Sequence, residues 1–527
     1  MLHLELERAF RIDNELQNLL SEATNYVHER VYSGSPAHEV EKGVFERMLK
    51  LGHQLFSVFF TIQGDGSVGD HLTLPTGEIV KRLPDRTRAY RSLFGKFTLK
   101  RAVYGTRKGQ SAVCIPLDTR LQLPEEEYSY PLQELTQHLT TEVSYTTAQT
   151  LLNKLLNLTV TVDSMERINQ HAGEMVPAFR EAQTAPEATT EAALLVLTAD
   201  GKGVPIRHAK DVARIADQKL KSGPKPDRKR MAVVGAAYTI EPYPRTPEDI
   251  VEALFSEPNQ PTDKKKPKLP APQNKRVVAH LTREIDGTEF KATESTFEWL
   301  SKQVNERGRL SQNQSPAPAL VSDVTPTEKK VYLAMMDGQE SLWNQVKLLK
   351  EAYPEGQWVE ILDLMHVNSY LWDAACAVHP GDKKQQLIFM KRRVMLVLEG
   401  KVEGIISELR ETASKQHLNK SLQKVVVTVC RYFSNNQHRM KYNEYLAAGY
   451  PIATGVIEGA CRHFVKDRME RAGMRWSIDG AQAMLHLRSA NLNGDLDEFS
   501  QYRIQQQAEK LYRHRDAVAA IEWPMAA

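Results

Sequence analysis

Three acidic residues stand where carboxylate chemistry needs them. Asp200 closes the apolar run "LLVLTAD", Asp337 closes "KVYLAMMD", and Glu458 opens the segment "ATGVIEGACRHFVKDRMERAGMRW" (453–476). After Glu458 that segment carries Arg462, His463, Lys466, Arg468, Arg471 and Arg475. Hard divalent cations such as Mg²⁺ take carboxylate oxygens, keep part of their water and accept phosphate oxygens. Two such ions about 4 Å apart can activate an attacking oxygen and stabilise a leaving one. In this reading Glu458 holds metal while Arg462 and Lys466, further along the same helix, meet the phosphates of a polyanion. Each acid taken singly is also an ordinary residue for its place, a strand-end turn Asp or a favourable charge at a helix N-terminus.

The elements that must bring these acids together are legible from residue 194 onward. Short apolar runs at 194–200, 230–240, 276–282, 330–338 and 357–363 read as five strands. Helical periodicity falls at 293–308, 339–353 and 479–494, and the mixture predicts an α/β sheet. In an RNase H-like order of elements the first and fourth strands are neighbours and a late helix crosses their ends. That order would gather Asp200, Asp337 and Glu458, with Thr454 as the expected cap of the Glu458 helix. Asp363 also ends an apolar strand and is the alternative second acid. About 90 residues of helical pattern separate the fifth strand from the Glu458 helix.

Residues 1–60 carry helical spacing, followed by a Gly-rich break. "GKFTLKRAVYG" alternates like a strand and is expected to pair with "SAVCIPLD" as a hairpin. "YTTAQTLLNKLLNL" (145–158), "TVTV" and "DSMERINQHAG" (163–173) read as a helix-turn-helix or as an ordinary helical hairpin, with Asp163 or Ser164 as the second N-cap. If it reads DNA, Ser164, Arg167 and Gln170 would face the duplex. The loops 219–230, 256–276 and 307–330 are rich in Pro and mostly basic. Lys225, Arg228 and Lys229 in the first are phosphate-contact candidates. Trp372 reads as core. Trp476 is kept as a residue that could stack on an unpaired base.

The 69 Lys+Arg and 66 Asp+Glu give a net charge of +3, so overall charge neither demands nor excludes a nucleic-acid partner. The four cysteines, Cys114, Cys376, Cys430 and Cys461, lack zinc-pair spacing and read as reduced thiols. "MLHLELERAF" lacks the layout of a signal peptide, and no apolar run reaches membrane-spanning length. A cytoplasmic protein is expected, with no membrane partner.

The block "YFSNNQHRMKYNEYLAAGYPIATGVIEGACRHFVKDRMERAGMRW…GAQAMLHLRS" resembles the C-terminal signature of bacterial insertion-sequence transposases of the ISKra type, DDE enzymes related to the Mutator-like superfamily. "LLVLTADGKGVPIR" is similar to their first-Asp strand, "VYLAMMDGQESLWNQV" to the second-Asp strand, and "EILDLMHVNSYLW" to a C/D-x-x-H motif formed by Asp363 and His366. The resemblance runs from about 90 to 490. It implies an α/β RNase H-like catalytic domain with a mixed five-stranded sheet, an all-α insertion and a mainly α N-terminal DNA-binding region. It implies Asp200, Asp337 and Glu458 as a triad for two Mg²⁺ or Mn²⁺ ions. The D-x-x-H pair is a supporting motif. Relatives often carry a Cys-rich, zinc-ribbon-like segment, but here that region keeps only Cys114, so no structural zinc is expected.

The expected domains are 1–65, helical; 66–135, small and β-containing; 136–185, helix-turn-helix-like; 190–370 with 450–495, catalytic; 371–449, the insertion; and 496–527, a helical tail. The expected function is a DNA transposase that cuts element ends and joins them to a target. Its partner would be double-stranded DNA, it would act as a homodimer or higher oligomer, and it would lie in the bacterial cytoplasm at the nucleoid. DNA-contact candidates are Arg462, Lys466, Arg468, Arg471, Arg475, Trp476, Ser164, Arg167, Gln170, Lys225, Arg228 and Lys229. The rival readings are an inactive, DNA-binding derivative and a nuclease that cuts without joining.

Overall fold

A computed structural model of the chain describes residues 2–106, 112–207, 229–256, 269–308, 330–415 and 418–519. They fall into two compact units, Met1–Phe179 with Gly494–Ala527, and Arg180–Asn493.

The first unit begins with helices Leu2–Tyr32 and Ala37–Gln63, folded back on each other through a turn in which Gly34 takes φ 62°. Close approach is set by Gly43, where a Cβ would lie 2.0 Å from the Tyr26 hydroxyl. Strands β1 (His71–Thr73), β2 (Ile79–Ser92) and β3 (Gly95–Gly105) form an antiparallel sheet in that order. Phe56, Phe60, Tyr90 and Phe97 pack between the second helix and this sheet. The expected partner of β3 was "SAVCIPLD", but β3 pairs with β2. Among the described residues, an isolated antiparallel bridge from Tyr104 to Cys114 is what joins it to that segment. The charges and Pro84 of "IVKRLPDRTRAYRS" hide β2 in the sequence, and its pairing is interrupted between Leu83 and Arg86 by a bulge.

Helix Tyr145–Leu156 is capped by Ser144, whose hydroxyl accepts from Thr147 N at 3.1 Å, and ends at Asn157 with φ 54°. The next helix runs Val162–Ala182, beyond the expected end at 173. Its cap is Thr161, whose Oγ1 accepts from Ser164 N at 3.2 Å, in place of the expected Asp163 or Ser164. The helix Leu496–Leu511 returns to this unit, where buried Arg503 donates to Gln133 Oε1 at 2.7 Å, and a short helix Arg515–Ala519 follows.

The second unit is mixed α/β. Strands β4 (Leu194–Pro205), β5 (Lys229–Ile240), β6 (Gln273–Leu281), β9 (Val331–Met336) and β10 (Gln357–Leu362) form one sheet in the order β10-β9-β4-β5-β6. β10, β9 and β4 run parallel, and β5 and β6 are antiparallel additions. β7 (Arg283–Ile285) and β8 (Thr288–Phe290) make a small hairpin on Asp286-Gly287, with φ 50° and 78°. That D-G turn is a readable hairpin signal. The middle strands are continuous apolar runs because both faces are covered. Helices Ala292–Arg307 and Glu340–Ala352 supply Phe297, Leu300, Leu342 and Val346 to the core. Helices Leu364–Val378, Lys383–Leu398, Val402–Lys415, Lys420–Asn436 and Tyr442–Ala447 follow β10. They share the core of the sheet through Leu371, Phe389, Ile405 and Phe433.

On both outer strands, some outward peptide groups are bonded by side chains. Helix Ile478–Leu492 lies along β6. Gln482 Oε1 accepts from Leu281 N at 2.7 Å, Ser489 donates to Val277 O at 2.7 Å, and Asn493 Oδ1 accepts from Val277 N at 2.8 Å. On β10, Tyr442 donates to Leu362 O at 2.7 Å and Tyr445 to Glu360 O at 2.9 Å. Among the described residues no helix is long and apolar enough to cross a membrane.

Candidate active site

The register of the parallel strands aligns the acids. Ala199 pairs with Met336, and Met336 with Leu362. Asp200, Asp337 and Asp363 are each the next residue, so they form a row across three adjacent strand ends. Asp200 does not end its strand, as the sequence suggests. β4 runs on to Pro205 while paired with β5, with Asp200 opposite Val234, and parts from β9 at this point. The divergence of β4 from β9 opens the sheet beside the row.

Glu458 comes from the helix Gly455–Cys461, which packs on β4 and β5. Its approach is fixed at two points. Thr454, the expected cap, makes no side-chain cap bond. Its hydroxyl donates to Asp363 Oδ2, and its N–H to Asp363 Oδ1 at 3.3 Å. Asp363 Oδ1 also accepts from Met365 N at 3.0 Å, capping the helix that carries His366. At the other end of the Glu458 helix, Cys461 Sγ donates to Asp200 Oδ2 at 3.4 Å. The backbone then widens into a π-helical turn, Arg462–Lys466, so the segment is not one continuous helix. Such turns re-aim side chains and cluster at functional sites.

One ligand atom from each of Asp363, His366 and Glu458 lies within 4.8 Å of the others. Asp200, Asp337 and Glu458 do not meet that proximity together, although Asp200 and Asp337 each directly follow the paired residues Ala199 and Met336. Among the described residues no ion pair involves Asp200, Asp337, Asp363 or Glu458. Desolvation raises the Asp337 pKa above the ordinary carboxylate value. Asp200 and Asp363 add to the rise, while the Gln339 N–H and His366 oppose it. Glu458 is raised by partial desolvation first, then by Asp363 and Asp200, against His366. Burial pushes the Cys461 thiol up, and the Asp200 charge pushes it further. A carboxylate cluster without a cation, with two members disfavouring ionisation, is an environment that a bound positive charge would relieve. The donors are carboxylate oxygens, which suit Mg²⁺ or Mn²⁺, plus one imidazole, which suits Zn²⁺ or Fe²⁺.

The cationic candidates divide. Arg462, Lys466, Arg471 and Arg475 are exposed. Arg462 pairs with Asp467 at 3.5 Å, and Arg471 donates to the Asp467 carbonyl. Lys229 is exposed and pairs with Glu470 at 2.6 Å. Arg468, in contrast, is fully buried, with its guanidinium 4.9 Å over the Trp476 ring. Trp476 is buried as well, donating from Nε1 to Met469 O at 3.1 Å while its backbone bridges to Ile206 beyond β4. Both are buried in contacts that fasten the basic loop to the end of β4. The reverse holds for Trp372, expected in the core but 44% exposed. Ser164 is buried, with its Oγ 2.9 Å from the hydroxyls of Tyr128 and Thr161, so it does not face outward. Arg167 is exposed beside Glu126 at 3.5 Å, and Gln170 is half-buried. Lys225 and Arg228 lie outside the described residues.

Two contacts escaped the sequence reading. Cys461 stands three residues after Glu458, on the same helical face, which is the only local signal for it. The second is a cleft of about 950 Å³ whose lining includes Gly338, the residue after Asp337, with Trp343, Lys347, Tyr370, Arg431 and Arg439. Tyr370 and Tyr432 stack there with centroids 3.8 Å apart. Lys347 and Arg431 are exposed on its wall. No family model matches the chain, and no curated protein matches it.

Proposed function

We propose that the chain is a DDE-type DNA transposase with an RNase H-like catalytic unit, acting on double-stranded DNA in the bacterial cytoplasm. The observation that carries this reading is that Asp200 and Asp337 directly follow the last paired residues of neighbouring parallel strands, Ala199 and Met336, while Glu458 comes from a helix that packs on β4 and β5. Asp200, Asp337 and Glu458 are the residues that would hold Mg²⁺ or Mn²⁺. Asp363, already bonded to Thr454 and Met365, acts as the positioning residue beneath them, with His366 beside it. The bound ions would activate the attacking oxygen and stabilise the leaving one. Water attacks the phosphorus at an element end and the P–O3′ bond breaks, freeing a 3′-hydroxyl. That hydroxyl then attacks a target phosphodiester in line, displacing the target's own 3′ oxygen. Asp200 is kept oriented by the Cys461 thiol and the Gly201 N–H. Exposed Arg462, Lys466, Arg471 and Arg475, with Lys347 and Arg431 on the cleft wall, would meet the phosphates.

The test uses a plasmid carrying the coding segment with its natural flanks, incubated with the protein and Mg²⁺ or Mn²⁺. Cleavage at the flanks and joining of 3′ ends to a second plasmid are expected. Asp200→Asn, Asp337→Asn and Glu458→Gln should each lose at least ~10²-fold in cleavage, the scale on which preorganised charge stabilisation acts, while retaining DNA binding. Full activity in Asp337→Asn would move the second-acid role to Asp363. Cleavage without joining would leave a nuclease, and binding without cleavage an inactive derivative.

A further inference from the structure

The N-terminal helical hairpin carries an apolar face that its own unit leaves in water. On Ala37–Gln63 the exposed residues Phe45, Met48, Leu55, Phe59 and Ile62 follow alternating three- and four-residue steps once Gly52 is counted. That is the spacing of a coiled-coil seam. On Leu2–Tyr32, Leu20, Val27 and Val31 repeat the pattern.

The two stripes lie on one side of the hairpin. The faces by which the helices pack on each other are marked by Tyr26 against Gly43, Glu22 against Arg47 at 3.9 Å, and Glu15 bonded to Gln54 at 2.6 Å. At ~100° per residue, each stripe stands roughly a third of a turn from its packing face, in the direction of increasing residue number. The helices run in opposite directions, so equal rotations carry both stripes to the same side. Phe94, 43% exposed and packed on Gly52, extends that face.

We infer that this face binds the same face of a second copy of the chain, two hairpins closing into a four-helix bundle. The stripe residues leave on the order of 700 Å² in water, near the ~800 Å² per partner of a stable interface. It exceeds the ~300–600 Å² of the largest apolar patch on a typical monomer. Residues 14–63 carry six acidic and four basic side chains, which suits neither a nucleic acid nor an anionic membrane as the occupant. A heptad seam on an antiparallel pair is self-complementary about a two-fold axis.

Sedimentation velocity of the full chain at ~10 μM should give about twice the 59.7 kDa chain mass. The double variant Phe45→Glu/Leu55→Glu should halve that mass with an unchanged circular dichroism spectrum. As a second arm, Met48→Cys in a Cys376→Ser background should cross-link to dimer with a short bis-maleimide, whereas Leu348→Cys, more exposed but on the other unit, should not. A single-chain mass for the unmodified protein, a variant that stays dimeric, or equal cross-linking at both cysteines would overturn the inference. So would unmodified protein that sediments with phosphatidylserine vesicles and loses that in the double variant. None of these outcomes depends on DNA cleavage, so the transposase reading can fail independently.

Discussion

Strands β4 and β9 run side by side, and their two ends treat charge in opposite ways. At the starting end, Glu191 receives a bidentate bond from Arg307 at 2.9 Å and another from Lys330 at 3.3 Å, all three side chains being almost fully buried. Lys330 also donates to the Arg307 carbonyl at 3.0 Å. At the finishing end, Asp200, Asp337 and Asp363 each follow the last residues paired in register, and none has an ion-pair partner among the described residues. One end therefore has its charges neutralised by partners within the chain, and the other gathers like charges without an ion pair among the described residues. Burial of ionic groups is tolerated where partners are complete. A concentration of like charge persists where function requires it.

The largest test of this contrast is at the paired end. Glu191→Ala would strand two buried cations, and burial already lowers the pKa of both Arg307 and Lys330. A loss of about 3–5 kcal/mol is expected, read by urea denaturation. A loss below ~1 kcal/mol would mean that water reaches the cluster.

Thr454→Val removes the hydroxyl that donates to buried Asp363. The expected cost is about 1–3 kcal/mol, because an acceptor is left unsatisfied. If Asp363 positions the Glu458 helix, DNA cleavage should fall further than that stability loss explains.

At the acidic end the sign reverses. The raised Asp337 pKa means that its ionised form is disfavoured in the folded state. The penalty is absent below the ordinary carboxylate range and develops as pH rises through the raised pKa. Asp337→Asn should therefore raise Tm at pH 7, by roughly 1–3 °C, and leave it unchanged near pH 3. Mn²⁺ should raise the Tm of the unmodified protein and not that of this variant. A destabilised Asp337→Asn protein at pH 7 would break the comparison.

The smallest effect is expected for Trp372→Ala. An exposed indole should contribute below ~1 kcal/mol, against ~3–5 kcal/mol for buried Trp476→Ala. Thermal melts of the two variants would sharpen the distinction.

What the sequence disclosed follows from how local each cause is. Continuous apolar runs made β4, β5, β6, β9 and β10 readable, because strands covered on both faces need no alternation. Asp200 and Asp337 stood out as acids at the ends of such runs. β2 was missed because a long strand with Arg, Lys and Pro84 looks like a loop until its partner is known. The role of Asp363 depended on Thr454, 91 residues away, and no local pattern encodes that bond. The two tryptophans exchanged places for a similar reason. Trp476 is buried by its backbone bridge to Ile206, whereas Trp372 lies on a helix face that the following helices leave uncovered.

The outer strands of the main sheet carry one more implication. With Gln482, Ser489 and Asn493 occupying β6, and Tyr442 and Tyr445 occupying carbonyls of β10, neither border offers a bare ladder for a stranger's backbone. The borders of this sheet therefore give a second copy little main chain to pair with. Self-recognition is left to side-chain surfaces, where single substitutions can tune it.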